Sequence, residues 1–327
     1  MGGLARKSTL INNARADNSN YFIVDAGDLF FKTKKIEPGI NVDVAKIGAE
    51  TILASYNKIG CDGFNVSEKD FALGLDYLRG LEEKSKFPFI SANIKTNSGS
   101  YLFNPYKIVN KNGIKLGIIG LSSVFESKDF IVENPLDALN KIIEFVKNQS
   151  DLIILLFNAN ENDISKLQTA NLPIDFIIQS KSKKRSNDGG SKNIPVYSCG
   201  DRGKYLYEFE FQYNDLNGSF TDIAQYESKI KLMDRKIKNL NKKEQAKINQ
   251  EERLNNLEKF NNQIKVAQNK IESSINKIKV NKIALDKTIA DDPEILKIVD
   301  EAIIKRNIIN PQLSMPNPPH GHPGHRH

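Results

Sequence analysis

LIILLF, residues 152–157, is six consecutive apolar side chains with polar residues on either side. A run of that length, rich in branched residues and too short for a helix, predicts a strand covered on both faces. Upstream, Pro135–Asn148 carries helical spacing, and before it GIKLGIIGLSS (Gly113–Ser123) supplies a second apolar strand over Lys115–Leu121. That strand pairs with Tyr106–Val109 across Asn112-Gly113, a dipeptide suited to a tight turn. Downstream, IDFII (Ile174–Ile178) repeats the apolar pattern, and Pro195–Ser198 and Tyr205–Gln212 follow, the last with period-2 alternation. Strand, helix and strand in succession predict an α/β layered fold.

The amino-terminal part extends the alternation. A helix is predicted over Leu4–Ala16, a strand over Tyr21–Asp25, a longer helix over Val42–Ile59, and strands over Gly63–Val66 and Phe87–Ile94. The expected domain covers residues 1–217.

From Ser219 the character changes. No Gly or Pro occurs before Pro293, and apolar residues recur at 4-3 spacing: Tyr226, Ile230, Met233, Ile237, Leu240, then Leu257, Phe260, Ile264, Ala267, Ile271, Ile278 and Leu285. This rhythm predicts an α-helical coiled coil over 219–291. Two arrangements fit: a rod of about 65 residues and about 100 Å, or an antiparallel hairpin turning near Asn255-Asn256 with arms of about 45 Å. The hairpin is favoured, because two stretches of similar length bury each other's seam without a partner chain. Asp292-Pro293 opens a short amphipathic helix over 292–309, and residues 310–327 form a Pro- and His-rich tail expected to be flexible.

Composition narrows the function classes. The net charge of +7 comes from 47 basic and 40 acidic residues, an excess that makes nucleic acid an unlikely partner. No apolar run reaches the length of a membrane span, and no export signal is present in the chain as given. Cys61 and Cys199 are read as two half-buried thiols, with a single disulfide as the alternative. All four histidines, His320, His322, His325 and His327, lie in the tail.

Several motifs occur in a fixed order. They are GGLARKSTLI from Gly2, DAGDLFF at Asp25–Phe31, a G-x-D-x-x-x-V spacing from Gly60, SANI at Ser91–Ile94, NPYKIV at Asn104–Val109, GIKLGIIGLSS, and GKYL at Gly203–Leu206. Together they resemble the calcineurin-like metallophosphoesterases, more narrowly their 5′-nucleotidase branch, over residues 2–212. The resemblance implies a four-layer α/β sandwich in which strand-end loops hold two metal ions, which polarise a phosphate and activate a hydroxide.

Set against that pattern, most ligand positions are changed. The family's first Asp-x-His loop has no counterpart in the chain as given. Asp28 matches the metal-bridging aspartate and is retained. The Gly-Asn-His-Glu loop falls on Ser67-Glu68-Lys69-Asp70, which places Glu68 at a ligand Asn, Lys69 at the catalytic His and Asp70 at the acid. A ligand His falls on Asn158, and the Gly-His-x-His pair on Ser180-Lys181-Ser182-Lys183.

An ammonium has no lone pair with which to ligate a metal, but it supplies positive charge. Lys181 and Lys183 are therefore expected to form a vestigial cluster with Asp28, Glu68 and Asp70, the alternative being a solvated loop. The leading expectation is a non-catalytic 5′-nucleotidase-like domain without a metal cofactor, acting as a scaffold or binding module, with the coiled coil docking a protein partner or self-associating. The alternative is a divergent phosphoesterase of nucleotides or related esters, with Asp28, Glu68, Asp70 and Asn158 holding Mg²⁺, Mn²⁺ or Zn²⁺. The tail histidines are a third candidate, a weak site for Zn²⁺, Cu²⁺ or Ni²⁺. The resemblance implies an extracytoplasmic location; a complete chain without a leader would be cytoplasmic.

Overall fold

A computed structural model describes residues 3–17, 21–186, 194–200, 203–215, 220–242 and 250–311. The chain opens with α1 (Gly3–Asp17), β1 (Val24–Asp25), α2 (Ile40–Ile59) and β2 (Gly63–Asn65). A 3₁₀ turn at Glu68–Phe71 leads into α3 (Leu75–Glu83), β3 (Phe89–Ile90) and β4 (Ile94–Lys95). The expected hairpin is β5 (Tyr106–Lys111) and β6 (Ile114–Ser122), joined at Asn112-Gly113, both at positive φ. Then come β7 (Ile131–Val132), α4 (Pro135–Asn140), α5 (Ile143–Lys147), β8 (Leu152–Asn158), α6 (Glu161–Thr169), β9 (Phe176–Ser180), β10 (Val196–Ser198) and β11 (Tyr205–Gln212). The final part is β12 (Phe220–Asp222), α7 (Ala224–Lys242), α8 (Gln250–Ser273), β13 (Asn276–Ala284) and α9 (Pro293–Ile309).

The five-stranded sheet has the order β10-β9-β8-β6-β5, and β6, β8, β9 and β10 run parallel. Every residue of β8 is buried, which is why its sequence lacks alternation. One face packs on α4, α5 and α6 through Leu139, Val146, Leu155 and Leu167. The other packs through Ile118, Ile154 and Leu156 against Val24, Ile90, Phe209 and Ile278, which come from the β1-β2-β3 and β11-β13-β12 sheets. Outside β1-β2-β3 lie α2 and α3, around Phe64, Leu53 and Leu78. Helix–sheet–sheet–helix layering follows.

Gly120 permits a close approach between the two inner sheets. A Cβ there would stand 2.6 Å from Asn65 Oδ1 and 2.8 Å from the Ile90 carbonyl oxygen.

The structure departs from the sequence reading in five places, the first being the strand expected over Phe87–Ile94, which is two short strands, β3 and β4, in different sheets. The single helix over Pro135–Asn148 is two short helices, α4 and α5, interrupted at Lys141-Ile142. Only Val24–Asp25 of the first predicted strand forms a ladder; Ile23 N–H instead donates to the Asp62 carboxylate at 2.8 Å. Asn255-Asn256 lies inside α8 and is not a turn. Ile278 is not a helical seam position: it sits fully buried in β13, the central strand between β11 and β12, and Leu285 lies just past that strand.

The reason for the last departure is local. After Ser273-Ser274 the sequence NKIKV alternates, with Asn276 and Ile278 inward and Lys277 and Lys279 outward, and period 2 then governs. The helices of the 219–291 region are thus α7 and α8, set between two strands of one sheet.

α7 and α8 lie side by side and run in opposite directions, with Lys236 Nζ 5.3 Å from the Phe260 ring and Arg253 near Asn241. The 4-3 residues from Tyr226 to Leu240 and from Leu257 to Ile271 are buried or half-buried, Met233 and Ala267 most deeply. Asn276 clamps the base of the pair. Its Oδ1 accepts from the Asn214 and Asp215 N–H groups, and its Nδ2 donates to the Asp215 carbonyl. α9 starts at Pro293 with Asp292 as N-cap and packs on α1 and α2, where Ser8 donates to Asp292 at 2.6 Å. No helix among the described residues is long and apolar enough to cross a membrane.

Candidate active site

The carboxyl ends of β1, β2, β8 and β9 meet at one end of the sheets, the usual location of sites in parallel α/β folds. Register brings them together: Ser122 pairs with Asn158, and Asn158 with Ser180. Ser180 Oγ donates to the Ala26 carbonyl at 2.6 Å, and Asn65 Nδ2 donates to the carbonyls of Ala26 (3.1 Å) and Leu121 (2.8 Å).

Gly27 (φ 112°) and Asp28 (φ 58°) turn the chain sharply after β1. A Cβ on Gly27 would stand 2.5 Å from Ser67 Oγ and 2.8 Å from the Asn65 carbonyl oxygen. Only glycine therefore lets the Asp28 loop sit against the Ser67 loop.

Asp28 is held on both oxygens. Oδ2 pairs with Lys69 Nζ at 3.0 Å, and Oδ1 accepts from the Lys69 N–H at 3.1 Å. Ser67 Oγ lies 3.0 Å from both Asp28 Oδ1 and Asp70 Oδ2, so a single hydroxyl proton serves two carboxylates. Asp70 is fully buried and completes a capping box with Ser67. It accepts from the N–H groups of Phe30 (3.1 Å), Ser67 (3.0 Å) and Asp28 (3.2 Å). Burial, and then the Asp28 charge, push the Asp70 carboxyl up to about 7 against the pull of the N–H donors from Phe30 and Ser67.

Glu68 bridges two loops. Its Oε1 pairs with Lys34 Nζ at 2.8 Å and its Oε2 with Lys181 Nζ at 3.1 Å. Burial alone would raise the Glu68 carboxyl; the hydrogen bonds from Lys34 and Lys181 outweigh it and hold the group below the ordinary glutamate value. Lys181 is itself left-handed, at φ 68°, a conformation that costs a non-glycine residue about 1–2 kcal/mol.

The structure therefore brings together Asp28, Glu68, Lys69, Asp70 and Lys181. It does not bring in Lys183, which is exposed and has no ion pair among the described residues. Of the two lysines of this loop that the sequence reading assigns to the cluster, Lys181 is the one paired with Glu68. Asn158 sits buried at the end of β8, donating to Ser180 Oγ at 2.8 Å.

Two members of the site are not singled out by the sequence reading. Lys34 is one, and its signal is the KTKK run immediately after DAGDLFF. Ser67, the hydroxyl shared by two acids, is the other.

Cys61 and Cys199 are both free and half-buried; burial pushes the Cys61 thiol up and the Cys199 thiol up to about 12. His320, His322, His325 and His327 lie outside the described residues. Among the described residues, no cluster of three or more His, Cys, Asp and Glu side chains is arranged to hold a metal ion.

No family model matches the chain. The trifunctional nucleotide phosphoesterase protein YfkN of Bacillus subtilis is 27% identical over 263 residues, covering 67% of this chain and 18% of that protein. A Vibrio cholerae 5′-nucleotidase is 31% identical over 172 residues, covering 46% of this chain and 29% of its own length. The chain thus spans well under two thirds of these relatives. The crystal structure of the calcineurin-like phosphoesterase YfkN from Bacillus subtilis matches with a TM-score of 0.62 at 19% identity, over 94% of this chain and 90% of that one. A 5′-nucleotidase precursor from Thermus thermophilus matches with a TM-score of 0.63 at 15% identity, over 96% of this chain and 54% of that one. The relatives in sequence are nucleotide phosphoesterases and 5′-nucleotidases, and the chain shares the fold of calcineurin-like phosphoesterases.

Proposed function

We propose that this chain is a non-catalytic member of that group, its α/β part, expected over residues 1–217 and joined by β12, β13 and α9, serving as a binding scaffold and its helical pair as an interaction arm. The observation that carries the reading is the contact of Lys69 Nζ with Asp28 Oδ2 at 3.0 Å. A cation fixed by covalent attachment occupies the one acid that matches a retained metal ligand. Lys34 and Lys181 do the same for both oxygens of Glu68, and the oxygens of Asp70 are taken by backbone N–H groups and Ser67. These residues do not fit a two-metal centre: every carboxylate is already neutralised or hydrogen-bonded, and a divalent ion would have to displace ammonium groups tethered to the fold.

The assay is hydrolysis of 5′-AMP and of bis-p-nitrophenyl phosphate in Mn²⁺, Mg²⁺ or Zn²⁺. The expected result is no turnover above a metal-only blank. Turnover that is lost in Asp28→Asn would establish the alternative, a divergent metal-dependent phosphoesterase.

Two features support the interaction arm. The helical pair leaves Leu232, Leu254 and Val266 exposed, and its base is fixed by Asn276. Sedimentation of the chain and of Leu254→Glu tests self-association; an unchanged monomer in both assigns the arm to a different protein partner. We place the protein outside the cytoplasm, a reading supported by relatives that are snake-venom 5′-nucleotidases and tested by fractionating the producing cells.

A further inference from the structure

Two basic loops flank the site and are tied to each other through one carboxylate. Lys32, Lys34 and Lys35 lie on the first, and Lys181, Lys183 and Lys184 on the second. Lys34 and Lys181 meet on the two oxygens of Glu68, so the loops stand side by side. The acids between them are submerged: the side chains of Asp28 and Glu68 are 9% and 14% exposed, against 68% for Lys34. Glu37 is the acid on the first loop. Lys32, Lys35, Lys183 and Lys184 are all exposed, and none has an ion pair among the described residues.

Hydrogen bonds fix the described parts of both loops. Thr33 Oγ1 donates to the Lys35 carbonyl at 2.8 Å. Ser198 Oγ donates to the Lys184 carbonyl at 3.1 Å, and the Lys184 N–H donates to Ser182 Oγ at 3.2 Å. Arg185 lies over the Tyr205 ring.

From this arrangement we infer that the two basic loops together bind linear oligophosphate, several phosphate groups in series spanning both loops. Ammonium groups act on phosphate as compact point charges, and charges spread over two loops need a ligand with several anionic groups to engage them together. Single-stranded nucleic acid offers the same backbone chemistry, but its binding relies on aromatic platforms between the cations. Neither KTKK nor KSKKR contains an aromatic residue. Oligophosphate binding by these loops does not depend on whether the acids beneath them turn over an ester.

The test is calorimetric titration of the whole chain with inorganic tripolyphosphate in excess EDTA, at about 50 mM and about 200 mM NaCl. EDTA removes any phosphate binding that runs through a metal. The expected result is binding that weakens with salt and that falls about tenfold or more in Lys32→Gln/Lys35→Gln/Lys183→Gln/Lys184→Gln. That variant leaves every ion pair of the site in place, so it is expected to fold. A variant with the same charge change on the helical pair, Lys231→Gln/Lys238→Gln/Lys259→Gln/Lys265→Gln, is expected to bind as the parent does.

Absence of binding, equal weakening in both variants, or orthophosphate bound as tightly as tripolyphosphate would each overturn the inference. Tighter binding of an oligothymidylate would also overturn it, by assigning the loops to nucleic acid.

Discussion

Lys69 grips Asp28 twice: its Nζ lies 3.0 Å from Oδ2 and its backbone N–H donates to Oδ1 at 3.1 Å. The side chain and the main chain of one residue thus neutralise a carboxylate that is 9% exposed. Replacing Lys69 by Met leaves that carboxylate short of one partner and is expected to cost about 1–3 kcal/mol. The double variant Lys69→Met/Asp28→Asn should recover most of the loss, because removing both charges of a buried pair is far less costly than removing one. Urea unfolding of the four proteins of the cycle measures this; additive effects would contradict the coupling.

Glu68 supplies a pH dependence. Its folded-state carboxyl lies below the ordinary glutamate value because Lys34 and Lys181 outweigh burial. A depressed acid contributes stability that is present above the unfolded-state value, about 4.3, and lost as the pH falls through the folded-state value. The melting temperature of the parent should therefore drop more steeply on acidification below about pH 4.5 than that of Glu68→Gln. Parallel curves would count against the bridge.

Gly27→Ala is expected to be among the more damaging single-methyl additions in the chain. Its φ of 112° and the 2.5 Å approach to Ser67 Oγ leave no room for a Cβ, and the cost should exceed about 2 kcal/mol. The same change at Gly48, where a Cβ meets nothing within 4 Å, should be neutral or slightly stabilising. Thermal melts of the two variants measured together check the contrast.

Ile278 distinguishes a strand from a helical seam. As a fully buried residue of β13 facing Phe209 and Leu156, Ile278→Ala should cost about 2–5 kcal/mol. Ile264→Ala, at a half-buried position on α8, should cost less than half as much. Similar costs would place Ile278 back in the helical arm.

How far the sequence can be read follows from these residues. β8 is legible because six apolar residues in a row have few other uses, and the β5–β6 turn because Asn112-Gly113 suits positive φ. β13 is not, because Ile271, Ile278 and Leu285 continue a seven-residue rhythm with no Gly or Pro to interrupt it. The alternation that makes NKIKV a strand acts only once β11 and β12 are present on either side.

In the site, the positions of Asp28, Lys69 and Lys181 are pointed out by the resemblance to the metallophosphoesterases, but their partners are not. Lys183 lies two residues from Lys181, yet of the two Lys181 is the one that pairs with Glu68. The second cation on Glu68, Lys34, comes from a loop more than thirty residues away in sequence.

Whether tethered ammonium groups have taken the place of metal ions is decided by elemental analysis of the untagged chain, truncated before Pro316, after equilibration with Mn²⁺ and Zn²⁺ and removal of free ions. Lys69, Lys34 and Lys181 holding the acids predict substoichiometric metal, far below one ion per chain, and no change in this when Lys69 is replaced by Arg. About two ions per chain would contradict that reading and make Asp28, Glu68 and Asp70 metal ligands.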